Sequence, residues 1–296
     1  MKKKLSLLIG LILLLLIASF IFFLKSNLFK DYLTDSILQK TGRKIEIRDA
    51  LSWSFFPTLQ LTAGHVTVSD AKMIWLIDKA TVQINPLAFF QKKIAFDEIS
   101  LENIKININN TWGLAGHGFI RLQCTTKNTE IMQNLNGQGQ FRFDQVELQG
   151  IDIPYFISVA QHFLNHHIKP APNQHQTFFK QLTGSFVITQ GVITNHDLIA
   201  SQDFFTTQGA GTVDLKQHMI QYRLVTFINK KTPDEKNDIN NLYGAKLPII
   251  INGLFSDIKV NLDTAVLIKT LMDQPILKIK GKKVKPKEAI KHLLGF

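Results

Sequence analysis

A single cysteine, Cys124, stands among 296 residues, so no intrachain disulfide framework can form and no cysteine cluster can hold a metal. Charged residues are scarce at 19%, whereas 45% are hydrophobic. That hydrophobic share is ordinary for a folded chain and excludes a disordered one. Acidic side chains number 23 against 34 Lys and Arg, a formal charge of +11. A basic surface of that size would suggest nucleic acid, because clustered Lys and Arg recruit phosphates. The excess is local instead. Seven lysines and one glutamate between Lys278 and Phe296 account for +6 of it. The basic balance belongs to a tail, and no nucleic-acid partner is expected.

Catalytic signatures are missing too. There is no G-x-S-x-G elbow and no H-E-x-x-H pair. Gly137-x-Gly139 and Gly209-x-Gly211 lack the third glycine of a phosphate loop and lead into strands, so both read as turns. His162 and His166 share one face of a predicted helix, with His167 and His175 nearby. No Glu or Cys accompanies them, and they read as a solvated helix end instead of a metal site. Asp97-Glu98 and Asp234-Glu235 are adjacent pairs, facing opposite sides of a strand or lying in solvent. No catalytic residue, metal or cofactor is expected, and the chain is not expected to be an enzyme.

Lys2, Lys3 and Lys4 precede Leu5 to Leu24, an uncharged run of 20 residues. As a helix it would span roughly 30 Å, the hydrocarbon thickness of a bilayer. A cleaved signal has a shorter apolar region and ends in small residues. Here the run closes on Phe20-Ile21-Phe22-Phe23-Leu24, which predicts an uncleaved anchor. The lysines ahead of it place the N-terminus in the cytoplasm.

From Lys44 onward the pattern is apolar-polar alternation, the period of half-buried strands. Ile45-Glu46-Ile47, Leu59-Gln60-Leu61, Val66-Thr67-Val68, Val82-Gln83-Ile84, Ile104 to Asn109, Phe141-Arg142-Phe143, Val146-Glu147-Leu148 and Val213-Asp214-Leu215 all follow it. Some 14 such runs lie between positions 44 and 263. Helices are predicted over 26–40, 151–166 and 262–273 and near 286–294. Loops are predicted over 110–118, 169–173 and 229–241. The fold class is therefore mainly β with a few flanking helices. Alternation alone fits a closed sandwich, with the apolar side buried on a second sheet, or a long open sheet.

Two stretches resemble the AsmA family of envelope proteins. The first runs through Thr41-Gly42-Arg43, Trp53-Ser54-Phe55-Phe56-Pro57, Val82 to Leu87 and Ile99 to Ile106. The second runs through Gly150-Ile151-Asp152, Gly191 to Asn195, Gly209 to Leu215 and Leu247 to Asp257. The implied organisation is a cytoplasmic stub and anchor over 1–25, β modules over 26–126 and 136–265, and a basic amphipathic helical tail over 266–296. The resemblance implies a long curled antiparallel sheet with an open apolar groove. It also implies a single-pass protein of the bacterial inner membrane, with the bulk of the chain in the periplasm. Its implied role is binding or transfer of phospholipid in envelope and outer-membrane biogenesis. The alternative is a non-catalytic assembly factor for outer-membrane protein or lipopolysaccharide, acting through other envelope proteins.

Candidate groove residues are Trp53, Phe55, Phe56, Ile104, Ile106, Ile108, Phe141 and Phe143. Trp53, Phe55 and Phe56, just before Pro57, suit the first end of the apolar face. Gly191 and Gly253 are expected at turns that need positive φ. Lys278, Lys280, Lys282, Lys283, Lys285, Lys287 and Lys291 interleave with apolar residues and suit docking on an anionic membrane surface. About 14 strands at roughly 4.8 Å each would give a sheet on the order of 70 Å long. That is too short to bridge a periplasm alone.

Overall fold

The computed structural model describes residues 27–70, 73–91, 93–108, 110–127, 134–164, 169, 172–229, 246–272, 277–279 and 282–284. The expected anchor lies outside them. Among the described residues no helix is long and apolar enough to cross a membrane.

Helix α1 (Asn27–Thr41) leads into β1 (Lys44–Ile47), β2 (Ser52–Ser54), β3 (Leu59–Ser69) and β4 (Met73–Ile84). A 3-10 helix (Pro86–Gln91) then precedes β5 (Lys93–Ile108), β6 (Trp112–Lys127) and β7 (Asn136–Gln149). Helix α2 (Ile153–Leu164) separates these from β8 (Gln176–Thr189), β9 (Val192–Ser201), β10 (Phe205–Asp214) and β11 (Met219–Ile228). Strands β12 (Lys246–Leu254) and β13 (Asp257–Leu262), helix α3 (Thr264–Met272) and strands β14 (Leu277–Ile279) and β15 (Lys282–Val284) complete the order.

Strands β1 to β13 form one open antiparallel sheet. From β3 on, each strand pairs with the next in sequence, while β1 and β2 share the outer side of β3 as a broken edge. Among the described residues no sandwich is formed; besides this sheet they hold only the β14–β15 pair. The sheet also runs without a break from β6 to β7, across the connection expected between two modules.

Local chemistry explains the connections. Gln190 (φ 50°) and Gly191 (φ 81°) are both left-handed in the two-residue β8–β9 turn, as a primed hairpin turn requires. Gly253 also has positive φ, at 130°, where a side chain would strike the Asp257 carbonyl. The loop expected over 110–118 is mostly strand. Gly118 lets β6 approach β7 closely, since a Cβ there would meet the Arg142 carbonyl. The expected helical tail over 266–296 opens as helix in α3 but holds strands β14 and β15 further on, and the helix expected near 286–294 lies outside the described residues.

Candidate functional site

Strand register sets the apolar side chains of successive strands in rows on one side of the sheet. Val68, Trp75, Ile106, Leu114 and Leu148 form one row by direct pairing. Ala63, Ala80, Leu101, Ile120 and Phe141 form a second. Between these rows lie the deepest side chains, among them Val66, Ile77, Ile104, Val146 and Phe179, all buried. The other face is wet. It carries the exposed pairs Lys79–Glu102 (3.2 Å) and Lys180–Asp203 (2.5 Å).

One face can stay apolar along strands this long only because the alternation reverses midway. On β4 the inward set is Trp75 and Ile77, then Ala80 and Val82, with two exposed residues, Asp78 and Lys79, between them. On β7 it is Leu148 and Val146, then Phe143 and Phe141, with Asp144 and Gln145 exposed between them. His65, Asn103 and Gln145 mark these points on β3, β5 and β7 with φ of 47°, 50° and 53°. The Asn103 amide donates to Asp78 (3.2 Å), and its oxygen accepts the Gly118 N–H (3.1 Å). His65 pairs with Asp49 at 2.9 Å. Such irregularities bend a strand and increase its twist. Here they fall at mid-strand on neighbouring strands.

Helices cover this face unevenly. Helix α2 packs on β8 and β12 and buries Ile153, Ile157 and Ala160. Asp152 fixes its start: the carboxylate accepts the Tyr155 N–H (2.8 Å) and the Gln174 N–H (2.6 Å). Helix α3 packs on β12 and buries Leu267. At the other end α1 lies against β1, with Phe29 edge-on to Trp53 at 5.6 Å. Beyond α1, an apolar cleft of about 290 Å³ opens over β3 to β5. Val66, Val68, Trp75, Ile77, Ala80 and Leu101 line it, and the Arg43–Asp70 ion pair (3.6 Å) stands at its side. A larger cleft of about 620 Å³ lies where the strands bend, among Lys105, His117, Glu147 and Lys180. Its apolar members Ile104, Val146 and Phe179 are themselves buried, so it offers little open apolar wall.

Aromatic rings fill the glycine positions of the C-terminal half. Gly137, Gly139, Gly209 and Gly211 lie within β7 and β10, not in the expected turns. The Phe186 ring occupies the space beside Gly139, and the Tyr222 ring that beside Gly211. The buried Tyr222 hydroxyl donates to Asn195, whose amide donates to Asp197 (2.7 Å). Burial and the nearby Asp197 charge push the Tyr222 hydroxyl above its usual range. Hydrogen bonds from Ser185 hold the Asp197 carboxyl below its own.

The structure brings most of the sequence-predicted groove residues to the apolar face. Trp53 pairs with Leu61 and stacks on Phe55 at 6.1 Å. Ile104 and Phe143 are buried, Ile106 and Phe141 half-buried, and Ile108 pairs with Met73 and Trp112. Phe56 is the exception. At 87% exposure it stands in solvent and belongs to the β2–β3 turn. Sequence reasoning missed Val66, Trp75, Ile77, Leu101 and Phe179, whose alternation is visible but whose shared face is hidden by the mid-strand reversals. Of the tail lysines, Lys278 lies on β14 and Lys282 and Lys283 on β15. Lys280, Lys285, Lys287 and Lys291 lie outside the described residues. His162 ends α2, while His166 and His167 lie outside. Among the described residues no three His, Cys, Asp or Glu side chains cluster as metal ligands would.

The model of the AsmA family matches residues 1–111, from the N-terminal apolar run to the end of β5. Residues 1–111 are thus similar to the AsmA family. No curated protein matches the chain, and no solved structure does.

Proposed function

We propose that this chain, AsmA-like over residues 1–111, binds phospholipid along the apolar face of its sheet and hands it on during envelope biogenesis. The observation that carries the reading is the apolar cleft over β3 to β5, which the described residues leave open between α1 and α2. Exposed apolar surface of this kind marks a ligand or a partner. A phospholipid suits it, because acyl chains would lie on the half-buried Val68, Trp75, Ala80 and Leu101, above the buried Val66 and Ile77, while the head group stays beside Arg43 and Asp70 in water. The mid-strand bends curl the sheet into a groove around those chains. Leu5 to Leu24 anchors the chain in the bacterial inner membrane, with the sheet in the periplasm.

Twelve strands in line at about 4.8 Å spacing span roughly 50 Å. A sheet of that length carries lipid locally or joins a partner to go further. Native mass spectrometry of the full chain released from detergent tests the reading. Co-purifying phospholipid is expected. A lipid-free chain bound to another envelope protein would favour an assembly factor instead. Retention of the chain in membranes after carbonate washing tests the anchor.

A further inference from the structure

The two ends of β3 and β4 differ in polarity, although the Asp97 carboxylate accepts from Asn85 (3.1 Å) at the more apolar one. At one end of β3 and β4, where Leu59 pairs with Ile84, lie the β2–β3 turn and the β4–β5 connection. They expose Phe55, Phe56 (87%) and Leu87 (69%), and residues 55–58 and 85–92 include no acidic side chain. The connection after β5, at the opposite end, exposes Asn110 and Thr111, and that before β4 carries Asp70.

Helix α1 says which end lies nearer the membrane. Its first turn touches the apolar end, through Phe29 on Trp53 and Trp53 on Phe55. Arg43, just past its last turn, reaches Asp70 at the far end of β3. The helix therefore runs beside β3 from the Leu59 end to the Ser69 end. The uncharged 20-residue run closes at Leu24, and only Lys25 and Ser26 separate it from Asn27, which opens the helix. The chain thus arrives from that run at the end that exposes Phe55, Phe56, Leu87 and the 70%-exposed Leu28.

We infer that this strand-end rim inserts into the leaflet beside the anchor, with Phe55, Phe56 and Leu87 among the acyl chains near the head groups. Bulky apolar side chains flanked by lysine are the usual composition of a surface seated at a lipid interface. Lys93, exposed at the start of β5, is placed to meet phosphates. From this rim the apolar face continues through Trp53, Leu61 and Val82 to Ala63 and Val66, so a lipid could pass from leaflet to sheet without crossing water. The inference rests on the anchor proposed above, and on the carrier reading only for that last step.

The test uses the full chain carrying Cys124→Ser and one added cysteine, Phe56→Cys, Leu87→Cys or Thr111→Cys, labelled with an environment-sensitive fluorophore. Each protein is reconstituted into phosphatidylethanolamine–phosphatidylglycerol vesicles containing doxyl-labelled lipid. Labels at 56 and 87 should be quenched several-fold more strongly than the label at 111. Equal quenching at all three positions overturns the inference. Native mass spectrometry of the same preparations separates the two ideas. Bound phospholipid without quenching at the rim removes the rim and keeps the carrier. Quenching at the rim without bound phospholipid keeps the rim and removes the carrier.

Discussion

Replacing Ile106 by glutamate separates two jobs that an apolar residue on this sheet can have: holding the fold together and holding a ligand. Ile106 sits between Trp75 and Leu114 and is only half-buried, whereas its neighbour on the same face, Ile104, is 1% exposed. A fully buried isoleucine contributes roughly 1.5–3 kcal/mol, so a half-buried one loses about 1 kcal/mol on replacement. The new carboxylate at 106 keeps part of its hydration, which limits the added cost to about 1 kcal/mol. The sum, about 2 kcal/mol, is well below the ~5–15 kcal/mol that holds a typical domain folded. At 104 the carboxylate would be stripped of water with no partner, which costs several kcal/mol. Ile106→Glu should therefore keep its circular dichroism and a cooperative melt while losing phospholipid crosslinking. Ile104→Glu should unfold. Unfolding of Ile106→Glu to the same degree, with no lipid ever found on the wild type, would mean that the face is a closed core. Undiminished crosslinking in Ile106→Glu would show that lipid binds elsewhere.

Asp152→Ala removes the acceptor for the Tyr155 and Gln174 amides and should cost about 1–2 kcal/mol, read as a lower Tm. Burial pushes the Cys124 thiol from 9.0 up to about 11, so the folded chain keeps its proton more tightly than the unfolded one. Its contribution to stability is full below pH about 9 and lost as pH rises toward about 11. Denaturation midpoints of wild type and Cys124→Ser should thus converge or cross over that window, and a constant gap would refute the shift. Deleting residues 278–296 should abolish salt-sensitive flotation of the chain beyond Leu24 on phosphatidylglycerol vesicles. Unchanged flotation would show that the tail does not dock.

Much of the fold was legible because strand and helix periods are local. Helices predicted over 26–40, 151–166 and 262–273 appear as Asn27–Thr41, Ile153–Leu164 and Thr264–Met272. The positive φ of Gly191 and Gly253 could be read from their neighbours alone. Other features depended on partners distant in the chain. The runs Leu59–Leu61 and Val66–Val68 look like two strands, as do Phe141–Phe143 and Val146–Leu148. Each pair is one bent strand, β3 or β7, whose alternation reverses at His65 or Gln145. Parity tells which residues share a side within a run but carries nothing across a reversal. Only pairing with the next strand shows that Val66 and Ala63, or Val146 and Phe143, face the same way. Alternation likewise could not choose between a sandwich and one open sheet, because both bury alternate residues. The choice was made where β6 pairs with β7 and α2 covers only the C-terminal half, leaving the cleft over β3 to β5 open.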